Sequence, residues 1–223
     1  VGTLWGPTSE AFGINNSGQV VGAASLDSGY SHPFLYSNGT MSDLGTLDGG
    51  TNGVAFSINN SGQIAGSAYT ADGDIRAFLY SDGSMNNLGT LGGNRSQAFG
   101  INDSGQVVGW ADTTSAVRAF LYSNGSMINL GSLSDRASQA SAINDNGEIA
   151  GWYIDNTGTS VHAFVYSDGS MIDIGTLGSS PSSAAFDINN SGQVVGRVHS
   201  TTGIDPDGRA FLYTNGLMID LGT

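Results

Sequence analysis

Residues 101–109 read INDSGQVVG and residues 119–133 read AFLYSNGSMINLGSL, and together these two blocks decide the fold. Asn124-Gly125 is among the strongest short hairpin signals. A two-residue turn of this kind needs positive φ at both central positions, which asparagine and glycine tolerate. Asn102-Asp103-Ser104-Gly105 makes a second tight turn, with Gly105 free to take positive φ. Around these turns lie four strand signals. Residues 98–101 alternate small and large side chains, residues 106–110 are rich in β-branched valine, residues 119–122 alternate aromatics, and residues 127–133 close the unit. No stretch shows a helical period with caps, so the chain reads as all-β.

The same two blocks return along the chain. INNSGQVVG stands at 14–22, INNSGQIAG at 58–66, INDNGEIAG at 143–151 and INNSGQVVG at 188–196. Each is followed by its partner: PFLYSNGTMSDLGTL at 33–47, AFLYSDGSMNNLGTL at 77–91, AFVYSDGSMIDIGTL at 163–177 and AFLYTNGLMIDLGT at 210–223. Successive starts are 44, 43, 42 and 45 residues apart. Four antiparallel strands per unit of this length are the signature of a propeller blade. Five copies therefore predict a five-bladed, ring-closed β-propeller in a single domain, 1–223. Its units run approximately 5–47, 48–91, 92–133, 134–177 and 178–223. A parallel β-solenoid is the alternative, although it has shorter coils and does not need two hairpins per repeat.

In a propeller the first strand lies nearest the axis, where space is narrowest. The small residues Ala11, Ala55, Ala98, Ala140 and Ala185 suit that place. The second-strand glycines, Gly22, Gly66, Gly109, Gly151 and Gly196, predict close backbone approach or a bulge. All five methionines (Met41, Met85, Met127, Met171, Met218) share one repeat position, and so do Tyr36, Tyr80, Tyr122, Tyr166 and Tyr213. Packing between blades is the expected use of both, in preference to soft metal ligation or sugar stacking.

Composition narrows the function classes. The 223 residues hold 19 Asp and Glu against six basic residues, a formal net charge of −13, and all six are arginine. Such a chain is not expected to bind nucleic acid or an anionic membrane surface. With no cysteine it has no disulfide framework, thiolate metal site or cysteine nucleophile. No apolar run approaches the ~20 residues that span a bilayer as a helix, so membrane insertion is not expected. The 35 glycines, about twice the usual share, fall in register with the repeat instead of marking disorder. The chain opens on Val1 with no initiator methionine, which suggests a mature or trimmed product.

One basic side chain precedes each Ala-Phe pair: His32, Arg76, Arg118, His162 and Arg209. By symmetry these form a ring that could hold anionic groups or the carboxylates of a uronic-acid polysaccharide. Local pairing with the fourth-strand residues Asp43, Asp173 and Asp220, or with Asn87 and Asn129, is the competing expectation. Trp110 and Trp152 occupy a second-strand slot that holds Ala23, Ser67 and Arg197 elsewhere. They are candidates for stacking on a sugar face, or else for packing between blades. The loops between second and third strands carry Asp27, Asp72 and Asp74, Asp112, Asp155, and Asp205 and Asp207. Hard oxygen ligands suit calcium, yet none matches a twelve-residue EF-hand loop, and ordinary turn chemistry is the expectation.

Two units carry a family resemblance. The stretch HAFVYSDGSMIDIGTLG from His162 and RAFLYSNGSMINLGSL from Arg118 resemble the HAF-type repeat of bacterial proteins, named for its His-Ala-Phe core. The resemblance extends over all five units, with Pro33 in the alanine slot of the first and Ser141 in the first-strand phenylalanine slot of the fourth. It implies an extracellular or cell-surface location and supplies no reaction.

There is no G-x-S-x-G, G-x-G-x-x-G or H-E-x-x-H motif. The histidines His32, His162 and His199 lack metal-ligand spacing, and the only glutamates, Glu10 and Glu148, sit in unrelated units. The sequence therefore predicts a non-catalytic surface protein without a cofactor, serving as a structural or self-assembling unit. Its expected partner is another copy of itself or a neighbouring propeller; a multivalent carbohydrate-binding module is the alternative. Val1-Gly2-Thr3-Leu4 repeats the phase of Leu221-Gly222-Thr223. In a closed ring the two ends would compete for one place beside the fifth blade, leaving the N-terminal segment available for subunit contact.

Overall fold

The structure, a computed structural model, describes residues 2–178, 180–199 and 208–222. Its strands form five antiparallel sheets of four, each in simple chain order, with no helix among the described residues. Blade one comprises β1 (Ser9–Ile14), β2 (Val20–Ser25), β3 (Ser31–Ser37) and β4 (Thr40–Asp43). Blade two comprises β5 (Gly53–Ile58), β6 (Ile64–Tyr69), β7 (Ile75–Ser81) and β8 (Ser84–Asn87). Blade three has β9 (Ser96–Ile101), β10 (Val107–Asp112), β11 (Val117–Ser123) and β12 (Ser126–Gly131). Blade four has β13 (Ser138–Ile143), β14 (Ile149–Ile154), β15 (Val161–Ser167) and β16 (Ser170–Gly175). Blade five has β17 (Ser182–Ile188), β18 (Val194–His199), β19 (Arg209–Thr214) and β20 (Leu217–Asp220).

The turns form as their residues require. Asn38, Asp82, Asn124, Asp168 and Asn215 all take φ between 51 and 53°, and the glycine after each is also positive. These are type I′ hairpins, whose twist matches that of the flanking strands. The other turn is organised by its first asparagine. In blade three the Asn102 side chain accepts from the Gln106 N–H (3.0 Å) and donates to the Gln106 carbonyl oxygen Oε1 (2.8 Å).

Each innermost strand carries a one-residue bulge opposite the second-strand glycine. Pairing jumps from Ala11 to Gly13, Ala55 to Ser57, Ala98 to Gly100, Ala140 to Ala142 and Ala185 to Asp187. The bulge pushes a first-strand carbonyl over the glycine. A Cβ on Gly109 would lie 1.9 Å from the Gln97 carbonyl oxygen, and one on Gly66 2.2 Å from that of Val54. Close approach and bulge are thus one feature.

Four apolar clusters join the five blades, each pairing a blade with the next. In the cluster between blades two and three, Ala65, Leu79 and Leu88 of one meet Ala98, Val107, Phe120, Tyr122 and Met127 of the other. The tyrosines and methionines of blades two to five pack in this way, as their alternation predicts. At about 25 cal/mol per Å² of apolar area, these repeated interfaces are the main source of stability, since a single blade buries little by itself.

Two hydrogen-bond systems run between the blades, one reaching forward and one back. The buried side chains of Asn15, Asn59, Asn102 and Asn144 donate through Nδ2 to the carbonyls of Asn59, Asn102, Asn144 and Asn189 respectively, at 2.9–3.0 Å. On the outer side a serine latches the preceding blade. Ser96 Oγ accepts from the Ala77 N–H (2.9 Å) and donates to the Gly89 carbonyl (2.6 Å). Ser138 does the same to Ala119 and Gly131, and Ser183 to Ala163 and Gly175. Between blades one and two the latch is replaced: Pro33 has no N–H to offer, and Gly53 stands where a side chain would meet Pro33 Cδ at 2.9 Å.

Among the described residues, no strands of blades five and one pack together as those of successive blades do. No apolar cluster joins them among the described residues, and the faces that would meet are bare. Ile14 is 70% exposed, whereas Ile58, Ile101, Ile143 and Ile188 are at most 8% exposed. Val195 is 42% exposed where Val21 and Val108 are fully buried. Nor do the chain ends compete for one place. Gly6 donates to the Ser25 carbonyl and Ser9 Oγ to that of Gly2, so the N-terminal segment lies on blade one. The Leu221 N–H donates to the Ala210 carbonyl, on blade five.

Candidate functional site

The five basic residues sit at one register of the third strands, opposite Ala24, Ala68, Ala111, Tyr153 and Val198. They share a layer, all half-buried. Each has a local partner. His32 Nδ1 lies 3.0 Å from both Asp43 carboxylate oxygens and His162 Nδ1 3.0 Å from Asp173 Oδ2. Arg209 pairs with Asp220. Arg76 turns to Asp74 Oδ2 at 3.0 Å instead of to Asn87. Arg118 donates to the carbonyls of Arg136 (2.7 Å), Val117 (3.0 Å) and Asp135 (3.1 Å), away from Asn129. All five residues of the layer are therefore engaged with nearby groups, and their donors do not converge on a common point.

Blade four adds a buried member to this layer. Tyr153 donates its hydroxyl to Asp173 Oδ2 (2.9 Å), and its ring lies 5.6 Å from that of His162. Burial first, then the hydrogen bond and negative charge of Asp173, push the Tyr153 phenol well above its ordinary pKa.

Trp110 and Trp152 are half-buried in equivalent second-strand positions, opposite Ala119 and Ala163. The Arg95 guanidinium lies 5.8 Å from the Trp110 ring centre and bonds Asp112 Oδ2 at 2.9 Å. That hydrogen bond, then the Asp112 charge, raises the arginine pKa further above its ordinary value. Arg95 also borders a groove of about 530 Å³ lined by Asp74, Asn94, Asp112, Thr113 and Thr114. Trp5, which precedes the first unit's strands, is 64% exposed.

The aspartate loops use their carboxylates locally. Asp155 accepts from Thr157 Oγ1 and the Gly158 N–H, both at 2.8 Å, and the Thr157 bond leads in lowering its pKa. Asp74 and Asp112 hold arginines. Asp205 and Asp207 lie outside the described residues.

The sequence reading missed the axial cavity, which the bulges create. The bulged residue of each first strand turns towards the axis, so Phe12, Phe56, Phe99, Ser141 and Phe186 line a space of about 540 Å³. Phe12 and Phe56 are 5.5 Å apart by ring centres, and Phe56 and Phe99 5.4 Å. A mouth of about 230 Å³ is ringed by Asn16, Asn60, Asp103, Asp145 and Asn190. There the Asn60 side chain donates to Asp103 Oδ2 (2.8 Å), the leading cause of a lowered Asp103 pKa. Apart from Asp187, the large cavity has no ionisable lining group. The visible clue was Ser141, the single unit departing from phenylalanine.

Sheets of four strands ranged around one axial cavity define the chain as a β-propeller. A family described as "Protein of unknown function (DUF3466)" matches residues 131–218, less than half of the chain. By sequence, no curated protein matches. Among solved structures the chain is similar to TolB from Acinetobacter baumannii, with TM-score 0.64 and 15% identity, over 94% of this chain and 52% of that one. The chain thus spans about half the length of that relative. TolB from Agrobacterium tumefaciens gives TM-score 0.64 and 15% identity over 96% and 80% of the two chains. The Aleuria aurantia lectin, solved in complex with Fucα1-6GlcNAc, gives TM-score 0.52 and 13% identity over 100% and 81%. At these identities the likeness is one of fold. No helix among the described residues is long and apolar enough to cross a membrane.

Proposed function

We propose that the chain is a non-catalytic, extracellular or cell-surface repeat protein whose blades serve as a structural scaffold. One observation carries this reading. The polar side chains that repeat from blade to blade are engaged in joining strands or blades to one another, from the basic slot to the asparagine and serine ladders. Catalysis needs a place where groups are held for a substrate instead. The surface location follows from the resemblance of the repeat. A screen of the purified chain against a glycan array and a panel of hydrolase substrates tests the reading; neither saturable binding nor turnover is expected.

A second reading, multivalent carbohydrate binding, is favoured by the polar groove that shares Arg95 with Trp110. An aromatic face beside carboxylates and an arginine is suitable chemistry for a sugar, and weak sites on several blades gain by avidity on a repetitive polysaccharide. Saturable glycan binding that is lost in Trp110→Ala and Arg95→Ala would replace the scaffold reading with this one.

A further inference from the structure

We propose that the opening between blades five and one is a docking site for a single further unit of the same repeat. This deepens the scaffold reading by naming what the scaffold joins to.

The argument rests on the directionality of the blade interface. Each blade presents a back face to the next: a small or β-branched second-strand residue, a third-strand leucine or valine, a fourth-strand leucine or isoleucine and, except at Pro33 of blade one, an alanine N–H. Each presents a front face to the one before: a serine (glycine in blade two), a small first-strand residue, an isoleucine and a turn asparagine carbonyl. The structure makes this contact four times. On blade five the back face is complete and uncovered. Val195 is 42% and Leu221 57% exposed, and Ala210 is exposed although Ala77, Ala119 and Ala163 are fully buried. A groove of about 170 Å³ runs beside Val195 and Leu212.

On blade one the front face is equally complete. Ser9 Oγ already donates to the Gly2 carbonyl at 2.8 Å, the same bond that Ser96 makes to Gly89. The other half of the latch, an alanine-slot N–H donated to Ser9, is missing among the described residues. The Ala210 N–H likewise meets no serine among the described residues. The asparagine ladder stops in the same sense: among the described residues, Asn189 Nδ2 reaches its own Gln193 at 2.8 Å but no carbonyl of a following blade. One blade of this repeat supplies all three missing partners and covers both apolar faces.

The kind of occupant follows from the two rims. Phe12 and Phe186 line the same axial cavity, and Asn16 and Asn190 the same mouth, so the two rims belong to one ring. One blade carries one front face and one back face, so a single unit can meet both rims at once. A second five-blade copy would bring four more blades against the opposite rim.

The test presents a unit that has both latch groups. Residues 91–133 carry Ser96 and Ala119 and continue in phase after the closing Leu-Gly-Thr, so they are added to the full chain either as a separate polypeptide or as a copy joined after Thr223. The separate unit should bind one-to-one in sedimentation, with Ser9→Ala and Ala210→Pro each weakening it about fivefold, the worth of one hydrogen bond. Proline is tolerated in this slot, as Pro33 shows. The joined unit should raise Tm by about 5–10 °C and slow hydrogen exchange at Ala210, whether or not the separate unit folds well enough to bind. The proposal is overturned if the joined unit changes neither reading. It is overturned also if Ala210 is already protected in the unextended chain, which would mean that the ring closes on itself. Dimers of the unextended chain that dissociate in Ser9→Ala would overturn it too, by making a whole second copy the occupant. None of these results touches the glycan and substrate screens, so the scaffold reading stands or falls separately.

Discussion

At the scale of single residues, two kinds of glycine do different work. Gly109 sits in ordinary extended backbone, but the bulged first strand leaves no room for a Cβ. Gly109→Ala should therefore destabilise the protein by about 3 kcal/mol or more, through overpacking against rigid backbone. Gly125 has open space around it and costs only its positive φ of 78°, so Gly125→Ala should cost about 1 kcal/mol. Urea denaturation of the two variants gives the comparison directly. Tyr153 offers a second residue-scale prediction. Its folded pKa is raised, so its contribution is fully present below the unfolded value of about 10 and is lost as pH climbs past it. Stability measured between pH 8 and 11 should fall more steeply for the wild type than for Tyr153→Phe. Equal slopes would mean that the buried phenol is not held neutral.

At the scale of strands and turns, the asparagine ladder separates local from inter-blade roles. Asn102 organises its own turn and also bonds the Asn144 carbonyl, both in buried surroundings. Asn189 makes the same turn but, among the described residues, reaches no further blade. Asn102→Ala should cost about 2–3 kcal/mol, and Asn189→Ala about 1 kcal/mol, because only the first also removes a buried bond to the next blade. Similar losses at both would show that the turn, and not the ladder, carries the energy. This scale also shows what a sequence can reveal. The hairpins were legible because Asn-Gly and Asp-Gly encode positive φ by themselves. The pairing of His32, His162 and Arg209 with fourth-strand aspartates was legible because third and fourth strands are joined by a two-residue turn, which sets their register. The bulge residue was not, because a bulge is a property of pairing, and Phe56 in a bulge reads the same as phenylalanine in regular strand. The serine latches escaped for a similar reason: Ser96 and Ala77 meet only when two blades are stacked.

At the scale of the whole molecule, near-identical units suggested equal environments, and the structure departs from that at its two ends. Blades two, three and four are covered on both faces, whereas blade one lacks a neighbour before it and blade five one after it. Stability in such arrays is approximately a sum of unit and nearest-neighbour terms. Hydrogen exchange should therefore be fastest in β1 and in β18 to β20 and slowest in β9 and β10, with the two ends opening below the global unfolding energy. Uniform protection across all five blades would contradict the open ring. Calcium or a chelator should leave Tm unchanged, because Asp74, Asp112 and Asp155 already hold arginines or cap their own loops.

The Pro33–Gly53 seam has a consequence for how such a gene can change. Recombination between near-identical repeats adds, removes or exchanges units in steps of roughly one blade. Units three and four pass through such exchanges intact, since each brings a serine for the unit before and an alanine N–H for the unit after. The boundary between blades one and two does not. A unit beginning with serine and placed after Pro33 would push its side chain towards the pyrrolidine ring, and Gly53 placed after an alanine would strand an amide. The two codons are therefore worth keeping only as a pair, and lengthening of the array by duplication is expected to occur downstream of them.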